Sequence, residues 1–230
     1  MSPRPRATTD EFLLAAAHRV VNRLGPGLTL ADVAAEAGVS PATLVQRFGS
    51  KRGLLLAFVS SGSGTTAAQF AEIRRAHPDP IDALREVVRC YAQMAPTPEA
   101  VSNGLAFLQI DMQDPDFHHH AHRQATDTLE ELRQLLDAAV KAGRLRKCDT
   151  RRLARALHAV IGGSMVAWGV LREGSAEAWM VGDVETLLEP LLKGTLSRRA
   201  RPPADPPGRR ATPAGSSRRR PRRSATPRRK

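Results

Sequence analysis

The chain has 230 residues, of which 41% are hydrophobic and 4% aromatic, so a packed core must rely on Leu, Val and Ala, which favours helices. No run of about 18 apolar residues is present, which argues against a membrane span, and residues 1–12 lack the long apolar segment of a secretory signal. The net charge of +12 belongs to residues 197–230, which hold 13 basic residues and one acid, whereas residues 1–196 hold 22 of each. The two cysteines, Cys90 and Cys148, have no metal-type spacing, so we expect a cytoplasmic chain with two free thiols.

The first predicted helix follows a Pro/Arg arm at residues 1–7. Thr8 and Glu11 have the spacing of a capping box. Apolar residues then recur at helical spacing, and this stripe consists of Leu13, Ala16, Ala17, Val20, Val21 and Leu24. The run Gly25-Pro26-Gly27 ends the helix.

Two short helices joined by a tight turn are predicted at residues 29–48. Thr29 is a good N-cap with Asp32 three residues later, and Gly38 can close this helix with a positive φ. Ser40 is the next N-cap, and Pro41 suits the first helical position, where no N–H is needed. Together with the first helix they are expected to form a small three-helix core, which includes Leu30, Val33, Val39, Leu44 and Phe48.

Ser50 is predicted to cap a further helix that has Lys51 and Arg52 in its first turn. Basic residues at a helix start oppose the helix dipole, so local stability does not explain them, whereas a bound phosphate would. The alternative is a pair of solvated surface cations. The segment 60–64 interrupts this helix, and the sequence leaves open whether it continues to Ile73 or kinks.

The rest of the chain is predicted to be helical up to residue 196. Helix starts are indicated at Asp79-Pro80, Thr97-Pro98, Asp114-Pro115, Asp149 and Ser175, and the last helix is expected to reach Leu192. No segment of useful length has the period of a strand. From Ser197 onward, Pro, Arg, Ala, Gly and Ser dominate, so this segment is predicted to be disordered. The sum is an all-α chain of about nine helices.

The region around residues 29–55 resembles the TetR family of transcriptional regulators. The matching residues are Thr29, Val33, Ala34, Ala37, Gly38, Val39, Ser40, Thr43, Leu44, Phe48, Ser50, Lys51, Leu54 and Leu55. The resemblance extends back to Leu13-Leu14, Ala16-Ala17 and Gly25, and covers about the first quarter of the chain. The family usually has Tyr where this chain has Val45, which removes one phosphate donor, and often has Gly where this chain has Ala42.

The resemblance implies a three-domain organisation and a function. It implies a helix-turn-helix DNA-binding domain at residues 6–66, with the helix-turn-helix itself at 29–48, and a helical ligand-binding and dimerisation domain at 67–196, followed by the tail at 197–230. The partners implied are double-stranded DNA, an apolar small-molecule effector and a second copy of the chain, bound through the last two helices. We therefore expect a ligand-responsive repressor that binds a palindromic operator as a dimer, without a cofactor and without enzymatic activity.

The resemblance also assigns the DNA-contacting residues. A recognition helix places its N-terminal residues at base edges in the major groove, which here are Pro41, Ala42, Thr43, Val45, Gln46 and Arg47. Gln46 can bind adenine with two hydrogen bonds, Arg47 can reach guanine or phosphate, and Ala42 can touch a thymine methyl. Thr29 and Lys51 would hold phosphates. The alternative is a helix-turn-helix used only for packing.

The helical body offers candidates for a ligand pocket, because Met and aromatic side chains adapt to apolar ligands. The candidate lining residues are Tyr91, Met94, Phe107, Met112, Phe117, Met165 and Trp168. At helical spacing such residues equally fit an ordinary core. Similarly, Gly162-Gly163-Ser164 would let the helix of a second copy approach closely, or would admit a neighbour within the chain.

Two further features suggest alternatives. His118 and His122 share a helical face, and Asp114 or Asp116 could add an oxygen ligand, so the run has a metal-binding or pH-sensing interpretation beside that of a polar helix start. The tail arginines suit phosphates and would add sequence-independent affinity. A sequence-tolerant architectural DNA-binding protein is therefore one rival hypothesis, and an enzyme built in the helical body is the other.

Overall fold

The computed structural model describes residues 9–62 and 65–193, and within them the chain is all-α, as predicted. Two 3₁₀ turns, Gly25–Gly27 and Glu189–Leu191, accompany the helices. The helices are α1 (Asp10–Leu24), α2 (Leu30–Ala37), α3 (Pro41–Phe48), α4 (Lys51–Gly62), α5 (Thr65–Ala76), α6 (Pro80–Met94), α7 (Pro98–Gln113), α8 (Pro115–Lys141), α9 (Thr150–Leu171) and α10 (Ala176–Leu188).

Side-chain caps explain most of the helix starts. Each of these caps accepts a hydrogen bond from a backbone N–H two or three residues later, and the predicted ones that do so are Thr29, Ser40, Ser50, Asp79, Thr97, Asp114, Asp149 and Ser175. The first helix differs by one residue, because the side chain of Thr9, and not that of Thr8, accepts from the N–H of Phe12. Thr8 and the arm before it lie outside the described residues.

Two predicted helix ends are wrong. Ser60 and Ser61 belong to α4, where the hydroxyl of Ser61 donates to the carbonyl of Phe58 at 2.8 Å instead of breaking the helix. Residues 63 and 64, on which the question of a kink depends, lie outside the described residues. The α10 helix ends at Leu188 and does not reach Leu192, because Pro190 has no N–H to continue the helical hydrogen bonds.

The head of the molecule, formed by α1 to α4, has its own core. Its fully buried side chains include Leu13, Val20, Val33, Leu44 and Leu54. Leu24, predicted to continue the apolar stripe of α1, is instead 42% exposed. The same cluster includes Phe107 of α7 and Phe117 of α8, so two aromatic side chains of the following domain complete the core of the head.

A second core lies in the body formed by α5 to α10, with Leu84, Leu132, Leu136, Leu157 and Met180 buried in it. Among the described helices, α9 is long and apolar enough to cross a membrane by length and composition alone, a test that the core helix of a soluble protein also passes. Six side chains of α9 are buried in the described structure, including those of Leu157, Ile161 and Trp168, so these residues are used in the packing of the body.

Candidate nucleic-acid interface

Helix α3 has one buried face and one exposed face. Leu44 is completely buried in the head core and Phe48 is half-buried, which fixes how the helix is rotated. Thr43 is half-buried as well. The exposed face consists of residues that were predicted to contact DNA, namely Pro41, Ala42, Val45, Gln46 and Arg47. The structure therefore places these five of the eight predicted contact residues on one accessible surface of α3, which we call the α3 face.

The turn before α3 is held by local contacts. Gly38 closes α2 with a φ of 67°, a conformation that suits glycine. The hydroxyl of Ser40 accepts from the N–H of Thr43 at 3.2 Å and lies 3.0 Å from the hydroxyl of Thr43. These contacts fix the start of α3, and with it the positions of the side chains on the α3 face.

Thr29 forms the predicted capping box with Asp32. The Asp32 carboxylate accepts from the backbone N–H of Thr29 and from its hydroxyl, both at 2.7 Å, and these bonds lower the pKa of Asp32. The hydroxyl proton of Thr29 is thus directed at Asp32. The predicted phosphate contact of Thr29 requires this hydroxyl to change partner when DNA binds.

Arg47 forms an ion pair that the sequence interpretation did not include. Its Nη1 lies 3.2 Å from Oδ1 of Asp10, in the first turn of α1, and both side chains are about half exposed. A carboxylate beside a residue expected to contact DNA competes with phosphate for the same guanidinium and repels phosphate itself. We therefore infer that Asp10 weakens DNA binding.

Asp10→Asn is expected to strengthen DNA binding by about 1.4- to fivefold for each head at moderate salt, since an exposed ion pair contributes about 0.2–1 kcal/mol. Fluorescence anisotropy with labelled duplex measures this change. The matched control is Glu72→Gln, which removes a carboxylate from the exposed pair with Arg75 on α5. Unchanged or weaker binding by Asp10→Asn, or an equal gain in the control, would contradict a competing role for Asp10.

Arg52 contacts the body of the protein. Its Nη2 donates to both carboxylate oxygens of Asp114 at 2.9 Å and to Asp116 at 2.8 Å, and its guanidinium carbon lies 5.7 Å from the ring centroid of Phe117. Hydrogen bonding by Arg52 lowers the pKa of Asp114. These contacts, and not a phosphate, account for a basic residue in the first turn of α4. The phosphate contact of Lys51 stays a prediction.

The seven candidate ligand residues are distributed over different surroundings. Phe107 and Phe117 lie in the head cluster, with ring centroids 6.5 Å apart. Met94 and Met112 are 55% and 66% exposed. The other three, Tyr91, Met165 and Trp168, pack in the body core.

Tyr91 is a polar side chain in this core. Its hydroxyl lies 3.5 Å from that of Thr128, and burial raises its pKa. Two cavities in the described part of the chain are lined by other residues. One is a narrow apolar cavity between α6 and α10, and the other is a crevice of about 430 Å³ between α4 and α8. None of the seven candidates lines either of these two cavities, and the predicted ligand pocket stays a prediction.

The histidine run lies in the first half of α8, beside the crevice. The rings of His118 and His122 are 6.2 Å apart, which agrees with their predicted shared face, and those of His119 and His120 are 5.6 Å apart. Across residues 9–62 and 65–193, no group of three or more His, Cys, Asp or Glu side chains is arranged to hold a metal ion.

Asn103 is a residue that sequence reasoning missed. It lies inside α7, and its Nδ2 donates to the backbone carbonyls of Asn22 and Arg23 at 3.0 and 3.1 Å. These carbonyls are at the C-terminus of α1. The only signal for this role in the sequence was that asparagine, a weak helix former, stands inside an otherwise helical segment.

Two models of known protein families match most of the chain. A sequence model described as "Bacterial regulatory proteins, tetR family" matches residues 13–58, and one described as "BetI-type transcriptional repressor, C-terminal" matches residues 80–193. None of the curated proteins matches the chain in sequence.

Solved structures share the fold at low sequence identity. A putative transcriptional regulator from Saccharomonospora viridis in complex with choline is 19% identical, with 82% of this chain and 100% of that chain covered and a TM-score of 0.68. A TetR transcription regulator from Haloarcula marismortui is 16% identical, with coverages of 80% and 98% and a TM-score of 0.66. The regulator FadR from Bacillus subtilis in complex with stearoyl-CoA is 16% identical, with coverages of 78% and 98% and a TM-score of 0.63.

Proposed function

Because the chain belongs to the TetR family of bacterial regulatory proteins, we propose that it is a ligand-responsive repressor that binds a palindromic DNA operator as a homodimer. The observation that carries this proposal is the α3 face. Its residues project from the packed head, while Leu44 on the opposite side of the helix is completely buried. A helix presented in this way fits the major groove.

The α3 face supports a division of roles between its side chains. Gln46 has an amide that can pair with adenine, whereas Ala42 and Val45 offer apolar contacts to thymine methyl groups. Val45 is 49% exposed, so an apolar side chain is accessible where many relatives have a phosphate-donating tyrosine. We propose that Arg47, released from Asp10, and Lys51 supply backbone contacts.

Dimerisation through α9 and α10 is supported by space on α9. Apart from the adjacent residues and the nearby backbone of α9 itself, no atom of the described structure lies within 4 Å of a Cβ built on Gly162 or Gly163. A neighbour within the chain therefore does not use these glycines, whereas the helix of a second copy could approach them closely. Val170, also on α9, is 75% exposed. A twofold dimer has the symmetry of a palindromic operator.

For the effector, we propose only a chemical class. The solved structures named above contain choline in one case and stearoyl-CoA in another, two ligands of very different size, so the shared fold does not select one. We propose an apolar small molecule in the body, in contact with residues from the set Tyr91, Met94, Phe107, Met112, Phe117, Met165 and Trp168. Such a ligand releases DNA only to the extent that it binds the non-binding state more tightly.

The remaining parts of the proposal follow from the family. We propose domain boundaries at residues 6–66 and 67–196, with the tail at 197–230 outside the described residues. A cytoplasmic location and the absence of enzymatic activity and of a cofactor belong to the same proposal. The tail arginines would add affinity that does not depend on sequence.

A salt titration of DNA binding tests this function. The full chain is titrated with the DNA that flanks its own coding region and with a scrambled duplex of equal length, between low and physiological salt. We expect binding to the native duplex to persist at physiological salt and binding to the scrambled duplex to be lost. Equal loss for both duplexes would contradict the proposal and favour the architectural hypothesis, in which the tail dominates.

A further inference from the structure

One face of α7 is in contact with the DNA-binding head. Asn103 hydrogen-bonds to the end of α1, Phe107 packs in the head core, Ile110 packs against that core, and Asp114 binds Arg52. These positions are separated by four, three and four residues, which places them along a single helical face. We call this row the head-facing row of α7.

At one end of the row, Asn103 caps α1. Its amide satisfies two of the carbonyls that the last turn of a helix leaves without partners. Gly25, the first residue after α1, lies directly against the Asn103 side chain, because a Cβ at Gly25 would be 2.7 Å from Oδ1 of Asn103. The C-terminus of α1 is thus held by a side chain from another domain.

At the other end, Asp114 and Asp116 bind Arg52 at the start of α4. The two attachments are eleven residues apart on α7 and at its end, a distance of about 16 Å along the helix axis. Between them, the ring of Phe107 contacts that of Phe58 on α4, with centroids 6.0 Å apart. Two hydrogen-bonded attachments, one on each side of a packed aromatic contact, therefore join α7 to the head.

We propose that Asn103 is a positioning residue for operator recognition, which fixes the tilt of the head and so makes the dimer selective for one spacing between operator half-sites. This inference rests on the proposed function, since it requires two heads that bind one palindrome. Adding one base pair moves a half-site by about 3.4 Å and rotates it around the helix axis. A fixed head cannot follow this change, whereas a head that has lost one attachment can.

The experiment measures binding of the full chain to a series of duplexes. Each duplex carries the same two selected half-sites, and the separation between the half-sites is varied in steps of one base pair. A duplex with a single half-site is measured as well. Asn103→Ala removes the donor. Asn103→Asp keeps the shape but places an acceptor beside the two carbonyls, so it should behave like Asn103→Ala. Gln109→Ala, which removes an amide from an exposed position of α7, is the matched control.

We expect the wild type and Gln109→Ala to prefer one spacing over its neighbours by about tenfold or more. Both Asn103 variants should reduce this preference to about threefold or less, with affinity for the single half-site changed by less than about twofold. Asp116→Asn, which weakens the other attachment, should broaden the spacing profile in the same direction.

Two results overturn the inference. One is a spacing profile of the Asn103 variants that matches the wild type. The other is a combination of two observations. The Asn103 variants lose affinity for the single half-site, whether or not they unfold, and Asp116→Asn keeps the wild-type spacing profile. Failure of the wild type to bind any duplex of the series specifically would contradict the proposed function itself, and is thereby distinguished from failure of the positioning role.

Discussion

Gly53→Ala is expected to destabilise the protein by about 3 kcal/mol, although alanine is normally the better helix former by about 1 kcal/mol. Gly53 lies in the first turn of α4, and a Cβ built on it would be 2.0 Å from the carbonyl oxygen of Phe48. That atom belongs to the backbone at the end of α3, so it cannot move away as a side chain would. The turn between α3 and α4 must shift instead, and the recognition helix with it.

Urea unfolding of the full chain measures this effect. The matched control is Gly104→Ala, also inside a helix, where nothing lies within 4 Å of the added Cβ. The control is expected to gain about 0.5–1 kcal/mol. The sign of the effect therefore separates the close approach at Gly53 from the general helical preference for alanine. A stabilising effect of Gly53→Ala would show that the contact with Phe48 is easily relieved.

Gln46→Ala is expected to reduce operator affinity by about 30-fold or more. Each amide–adenine pair contributes about 1–3 kcal/mol of discrimination, and a dimer would lose two of them. Gln46 is exposed and makes no contribution to the head core, so stability should be unchanged. Anisotropy titrations with the operator and with a scrambled duplex measure the loss.

The affinities of Gln46→Ala for the operator and for the scrambled duplex distinguish base recognition from a general weakening of DNA binding. Gln46→Ala should weaken binding to the operator and leave binding to the scrambled duplex unchanged, and it should relax the preference for one base at one position in each half-site. Gln109→Ala, far from the α3 face in sequence and exposed on α7, should have no effect. An equal loss on both duplexes would mean that Gln46 contacts the backbone and does not read sequence.

Local rules predicted much of the head. Thr29 with Asp32, Ser40 with Thr43 and Gly38 act within three residues of one another, so the sequence alone determines which partner each one has. The same holds for the caps at Asp79 and Thr97. The family resemblance added the role of α3, and its exposed face has the expected residues.

Contacts between distant residues could not be predicted in this way. Arg52 and Asp114 are 62 residues apart, and Asn103 and Asn22 are 81 apart. Helical periodicity indicates that a side chain such as Phe107 is buried, but not which neighbour buries it. This is why the packing of Phe107 and Phe117 in the head core was not predicted, and why Arg52 was associated with phosphate.

Acidic partners for basic side chains have a functional consequence. In the head, the carboxylate of Glu36 accepts hydrogen bonds from Arg19 at 2.7 Å and Arg23 at 3.3 Å, and these bonds lower its pKa. Arg47 is paired with Asp10 and Arg52 with two aspartates. Counting basic residues in the sequence therefore overestimates the charge that the head presents to DNA.

The central claim is that the α3 face reads a DNA sequence. Selection of bound duplexes from a random library by the full chain, at physiological salt, tests it most directly. We expect enrichment of an inverted repeat with half-site centres about 10 base pairs, or a multiple of one helical turn, apart, and a changed base preference within the half-site for Gln46→Ala. Recovery of DNA without any enriched sequence, or an enriched sequence unaffected by substitution of Gln46, Ala42 and Val45 together, would contradict it.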